Sequence, residues 1–182
     1  MNKRFIESMK ESMSVSTQDV VISGLLIATD VILTRFVSIQ AWQFRIGFGF
    51  VPIVLAGMML GPVKAGMVAA LADVLGATLF PAGTFFPGFT ITACLVGMIY
   101  GIFLYKKQSK LRIILPVLIH QCILSLILNT LWLSILYGSP FLPLLASRLL
   151  QTAIMLPVEY MCVSALCSER VSQVLTYRSR WS

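Results

Sequence analysis

The chain reads as an all-α integral membrane protein with six transmembrane helices and both termini in the cytoplasm. Of its 182 residues, 58% are hydrophobic and only 12% charged, about half the charged share of a soluble domain. Mean hydropathy is +0.89. The apolar residues fall into six runs divided by breakers and basic clusters. A bilayer span takes roughly 20 apolar residues, so six spans leave short loops and no separate soluble domain.

Residues 1–19 are polar and mixed in charge, with Phe5, Met9 and Met13 spaced four apart, a pattern for a short helix lying on the membrane surface. The stretch is not a secretory signal, because its charges extend to Asp19 and no small-residue cleavage site follows the apolar run. The first span is therefore retained over 20–34. Residues 36–45 (FVSIQAWQFR) mix aromatic, polar and basic side chains as a loop does. The second span, 47–60, stops at Gly61-Pro62, and the third, 65–79, stops at Phe80-Pro81-Ala82-Gly83. Both are short, which implies thinning, tilt or a half-buried position. The fourth occupies 88–105 and exits into Lys106, Lys107, Lys110 and Arg112. Spans five and six, 111–137 and 141–167, are joined by the tight turn Gly138-Ser139-Pro140, and 168–182 is a basic cytoplasmic tail.

Orientation follows from the basic residues. Eleven of the 14 Lys and Arg fall before span one, between two and three, between four and five, or after six, all one side of a six-span chain. Arg35, Arg45 and Arg148 sit at or just inside the other side. By the positive-inside rule the loops around Trp42, Phe85 and Ser139 face outward. The net charge of +7 thus fixes topology and does not point to nucleic acid.

Enzymatic chemistry finds no support. There is no GxxxxGK[ST] to cradle ATP, and no HExxH, GxSxG or paired-carboxylate pattern. His120 is the single histidine, which excludes a multi-histidine metal site; its main reading is a satisfied core or lumen residue, with ligand contact second. Cys94, Cys122, Cys162 and Cys167 are scattered without a CxxC pair, so neither zinc nor a disulfide framework is indicated.

Polar residues within spans are more telling, since each costs a few kcal/mol in hydrocarbon and so faces the bundle interior. Gln121, Ser125, Asn129 and Trp132 share a face of span five; Arg148, Gln151, Met155 and Glu159 share a face of span six. Two such stripes on helices joined by a tight turn face each other or a common cavity. One reading is a hydrogen-bond network that holds the bundle. The arginine inside span six favours the other, a ligand site. Asp30 and Asp73 read first as ion-pair partners of Arg35, Arg45 or Arg148. Aromatic residues gather on the outer side, Phe85, Phe86, Phe89, Trp132 and Tyr137 among them, as an interfacial belt or as a lid over an outward-facing pocket. Small residues at helical spacing permit close helix contact: Gly24 and Ala28 on span one, Ala65 to Gly76 on span three, and Ala93, Gly97 and Gly101 on span four. Most of these are internal packing; the span-one pair is free to meet another subunit.

RIGFGFVPI at 45–53, followed by Ala56-Gly57 and Gly61-Pro62, resembles the second-span signature of substrate-binding S components of energy-coupling factor vitamin transporters. FFPGFT at 85–90, LNTLWLSILYG at 128–138, ASRL at 146–149 and IMLP at 154–157 resemble the folate-specific branch. The resemblance covers residues 20–167. It implies the S-component fold in a bacterial cell membrane, with 20–167 as a six-helix substrate-binding domain that takes one vitamin from outside. It further implies partners, namely a transmembrane coupling protein and two ATPase subunits, with folate as the transported ligand and no metal or other cofactor. The family's Ala-xxx-Ala docking pattern has its equivalent here in Gly24-xxx-Ala28.

Folate chemistry suits residues already singled out. A flat pterin and a benzoyl ring want aromatic faces, for which Phe85, Phe86, Phe89, Trp132 and Tyr137 are candidates. The amino-oxo edge wants a paired donor and acceptor, from Asn129 or Gln151. The glutamate carboxylates want an arginine fork, Arg148 first and Arg45 next. The alternatives are an S component for another vitamin, set apart by its polar pocket partners, and a self-contained secondary transporter, for which an internal repeat is expected and none is visible.

Overall fold

In the computed structural model, the residues described are 16–40, 45–81, 83–105 and 109–168, and of Ile39, Gln40, Arg45 and Ile46 the backbone alone. The N-terminal stripe of Phe5, Met9 and Met13, the loop aromatics Trp42 and Phe44, and the tail after Ser168 lie outside them.

Helix α1 spans Thr17–Arg35 and begins three residues before the predicted start because Ser16 caps it. Ser16 Oγ accepts from the Asp19 backbone N–H (3.2 Å) and Asp19 Oδ2 accepts from the Ser16 N–H (3.1 Å), a reciprocal capping box. The same Asp19 Oδ2 meets Lys64 Nζ at 2.9 Å, tying α1 to α3. Beyond α1, the segment expected to be plain loop pairs as a small antiparallel ribbon, β1 (Ile39–Gln40) with β2 (Arg45–Ile46), in the register Ile39 with Ile46 and Gln40 with Arg45.

Helix α2 (Phe50–Leu60) and α3 (Pro62–Leu79) are separated by Gly61 alone. Its φ of 83° suits a residue without a β-carbon. Pro62 then starts α3 where its missing N–H costs nothing. Helix α4 is Pro87–Leu104, and α6 is Phe141–Leu166. Helix α5, Lys110–Tyr137, ends where Gly138 turns left-handed with φ 62°. Its middle, Ile119–Leu128, is π-helical. Pro116 lies just ahead; it cannot donate to the ladder and crowds the preceding turn, and the Ile119 N–H is shared between the carbonyls of Leu115 and Pro116.

Five of these six helices are long and apolar enough to cross a membrane. The exception is α2, whose 11 residues reach about 16 Å at 1.5 Å per residue, roughly half the hydrocarbon thickness. Large apolar side chains on the outer faces, such as Leu25, Leu111, Leu150 and Met161, are exposed, as lipid-facing positions require. The core joins Phe50, Val54 and Met58 of α2 to Val96, Tyr100 and Leu104 of α4, Ile113, Val117 and Leu124 of α5, and Met155 and Val163 of α6. Helices α3 and α4 approach most closely, with Gly97 against Ala65 and Gly66, and Gly101 against Pro62. Helix α1 stands at the outside of the bundle; it lends Ile22, Leu26 and Ile27 to a smaller cluster around Ala56, Leu60, Ala65 and Val68.

Candidate functional site

All six helices line one cavity of about 220 Å³ between them, and α1, α3, α5 and α6 turn polar residues toward it. Asp30, Thr34 and Arg35 come from α1, Ser38, Gly47 and Gly49 from the connection to α2, and Phe50 and Ile53 from α2. Opposite them stand Ala69 and Asp73 of α3, Ala93 and Val96 of α4, His120, Gln121, Ser125 and Asn129 of α5, and Arg148, Gln151 and Met155 of α6. The two polar stripes thus meet at a shared space, with one departure at the end of each. Trp132 turns onto Phe86, and Glu159 drops behind the wall.

Arg148 carries the electrostatic weight of the α6 wall. It is buried, 7% exposed, in a span where a charge costs several kcal/mol unless something answers it. Its Nη1, with Asn129 Oδ1 and Arg35 Nε, is buried without a hydrogen-bond partner among the described residues. Buried polar atoms of this kind are few in folded proteins. Three of them around one cavity mark it as a place built to receive hydrogen bonds. On the far wall the Arg35 guanidinium lies over Gly76, where a β-carbon would stand 2.9 Å from its Nε.

Among the described residues Asp73 takes a hydroxyl partner in place of the expected ion pair. Asp73 accepts from Thr90 Oγ1 at 2.7 Å, which links α3 to α4. Asp30 is buried at the cavity beside Gly49, whose β-carbon, were there one, would stand 3.2 Å from Asp30 Oδ1. Glu159, fully buried, holds three donors: His120 Nδ1 at 2.6 Å, Gln121 Nε2 and the Tyr100 hydroxyl. Among the described residues no group of three or more His, Cys, Asp or Glu side chains is arranged to hold a metal.

The aromatic candidates form their own group. Phe86 packs on Trp132 (ring centroids 5.6 Å) and on Phe89 (6.2 Å), and Trp132 Nε1 donates to Thr92 Oγ1 at 3.0 Å. Gly88 makes this possible, because a β-carbon there would lie 2.5 Å from the Trp132 ring. Phe85 and Tyr137 are exposed at the margin of the group. These five do not line the cavity; the group sits about one turn from Ala93, which does. Arg45 is placed by its backbone in β2, opposite Gln40. Gly24 and Ala28 are both exposed on α1, and a β-carbon at Gly24 would meet nothing within 4 Å.

Of the residues singled out as pocket candidates, Asn129, Arg148 and Gln151 line the cavity. Arg35, Thr34 and Ser38 also line it, and they come from a helix end and a loop where periodicity carries no signal. His120 also lines the cavity, and only its chemistry, a polar ring in a span, hinted at it. Gly47 and Gly49, part of the quoted signature, leave room for Ser38 and Thr34 beside the cavity.

Residues 18–167 match the family model described as "ECF transporter, substrate-specific component". The chain is 46% identical over 136 residues to a protein named folate transporter FolT from Clostridium novyi, covering 74% of this chain and 79% of that one. It is 30% identical over 152 residues to a FolT from Leuconostoc mesenteroides, covering 80% and 82%. A solved structure, described as FolT bound with folic acid, superposes with a TM-score of 0.79 at 39% identity, over 83% of this chain and 93% of that one. With a family match that runs through all six helices and the residues around the cavity, the chain belongs to the substrate-specific components of ECF transporters, and is a multi-pass membrane protein.

Proposed function

We propose that this chain captures folate at the outer side of a bacterial cell membrane and delivers it by docking on a transmembrane coupling protein that works with two ATPase subunits. The observation that carries the reading is Arg148, a buried guanidinium with a spare donor at a cavity it shares with Asn129 and Gln151. A dicarboxylate tail attached to an amide-rich ring answers that arrangement. Arg148 clamps a carboxylate, with Arg45 as the second candidate. Asn129 and Gln151 pair with the pterin edge, and the aromatic group of Phe85, Phe86, Phe89, Trp132 and Tyr137 flanks the entry. The relatives named folate transporter support this choice of vitamin.

Both termini lie in the cytoplasm on this reading, so the aromatic end opens outward. The exposed Gly24 and Ala28 of α1 offer the partner a face without protruding side chains. The chain has no P-loop of its own, so ATP hydrolysis belongs to the partner and this subunit is not an enzyme. Purification in detergent, followed by absorbance and mass spectrometry of whatever co-purifies, tests the ligand. Folate is expected. A different vitamin would make this an S component of another branch, and uptake in cells lacking the ATPases would make it a self-contained transporter.

A further inference from the structure

Glu159 has no place in the capture scheme above, yet it is the most deeply buried charge-bearing side chain among the described residues, at 0% exposure. An uncompensated carboxylate there would be costly. Three helices converge to prevent it: Tyr100 from α4, His120 and Gln121 from the π-helical part of α5, and Glu159 itself from α6. Two of the three donors, His120 and Gln121, have a second surface on the cavity, whereas Tyr100 and Glu159 do not line it. The carboxylate therefore grips the back of two side chains whose fronts face the ligand space.

The consequence for His120 is specific. Its Nδ1 lies 2.6 Å from Glu159 Oε1, and its ring stands edge-on to Tyr100 with centroids 5.9 Å apart. The ring is fixed in position and in plane. A carboxylate accepts and does not donate, so Nδ1 carries the proton, and in the neutral ring the lone pair then lies on the remaining nitrogen, Nε2. The imidazole is 17% exposed, and the space it borders is the cavity. On the neighbouring walls Arg148 Nη1 offers a donor and Asn129 Oδ1 an acceptor; a fixed acceptor at His120 extends that set.

We propose that Glu159 is a positioning residue: it locks His120 in the Nδ1–H form so that Nε2 accepts a hydrogen bond from an N–H of the bound ligand. The ligand contact rests on the folate reading, since a pterin ring presents such N–H groups; the locking of His120 stands without it.

The single histidine makes the test direct, because protein grown with 15N-labelled histidine gives one pair of ring signals. In nanodiscs, the wild type shows a protonated Nδ1 and a bare Nε2. Adding folic acid shifts the Nε2 signal, while Glu159→Gln abolishes the single-tautomer state. Folic acid affinity follows: Glu159→Gln weakens it about tenfold, and His120→Asn, which keeps a donor for Glu159 but has nothing at the Nε2 position, weakens it similarly. The double variant Glu159→Gln/His120→Asn is no weaker than His120→Asn alone, as required if Glu159 acts through His120. Additive losses would assign Glu159 a separate structural role and overturn the proposal, as would an Nε2–H tautomer or a doubly protonated ring in the wild type. An Nε2 signal unmoved in protein that binds folic acid would remove the contact. Wild type that fails to bind folic acid would remove the folate reading and the contact with it, while the tautomer still decides whether Glu159 locks the ring.

Discussion

Gly57 of α2 and Gly101 of α4 lie back to back: a β-carbon on Gly57 would stand 2.8 Å from the Gly101 backbone nitrogen and 2.9 Å from the Tyr100 carbonyl carbon. Backbone cannot swing aside as a side chain can, so Gly57→Val must push α2 off α4. Overpacking of this kind costs about 1 to 3 kcal/mol or more. A lower melting temperature and reduced recovery of Gly57→Val in detergent are expected. Gly24→Ala, which meets nothing within 4 Å, is the control and melts at or above the wild-type temperature, because alanine favours helix over glycine by about 1 kcal/mol. Equal melting of Gly57→Val and wild type would show that the helices are looser than described.

Replacing Arg148 by Ala removes the fork from the cavity wall. A charge-assisted hydrogen bond contributes about 1.5 to 3 kcal/mol, so folate affinity falls by one to two orders of magnitude. Arg148→Lys restores part of it, keeping charge without the planar fork. Titration calorimetry on folded protein decides. Undiminished affinity in Arg148→Ala would transfer the clamp to Arg45.

Topology is open to a direct check. A reporter fused after Ser182 and another inserted between Lys107 and Lys110 should both report the cytoplasm, because the basic residues segregate to that side. An external signal from either would break the six-span arrangement.

Binding and transport should separate on α1. Gly24→Trp/Ala28→Trp enlarges two exposed positions that take no part in the cavity. The purified variant is expected to bind folate as the wild type does, while uptake is lost in cells that express the coupling protein and ATPases. Substitutions at Gly97, packed on Ala65 and Gly66, should instead reduce stability and binding together. Normal uptake by the double tryptophan variant would move the docking face elsewhere.

Where the sequence was legible, the cause was local and one-dimensional. The breaks at Gly61-Pro62 and Gly138 are written in residue types that favour the end of a helix, and both stand where the sequence predicts them. Helix α1 starts three residues ahead of its apolar run because Ser16 and Asp19, polar by composition, form its cap. Arg148 and Gln151 could be assigned to an inner face because a regular helix carries its period from one turn to the next. Arg35 and Ser38 could not, since their approach to the cavity depends on how α1 leans over Gly76 and on the chain folding back through β1 and β2. The π-helical stretch was invisible to a period-3.6 reading. A spacing of four keeps Gln121, Ser125 and Asn129 in line along the wider turns; Trp132, three residues further in ordinary helix, parts from them.

Those wider turns make one wall of the cavity depend on count as much as on chemistry. Between Ile119 and Leu128 the helix holds more residues per turn than its neighbours. Dropping a single leucine or isoleucine from the lipid-facing side would let it tighten to the ordinary pitch. Asn129 would then rotate away from Gln151, and everything after it would rotate too, although no pocket residue had been touched. In this protein the spelling of that segment can drift among greasy residues, but its length is part of the recognition code.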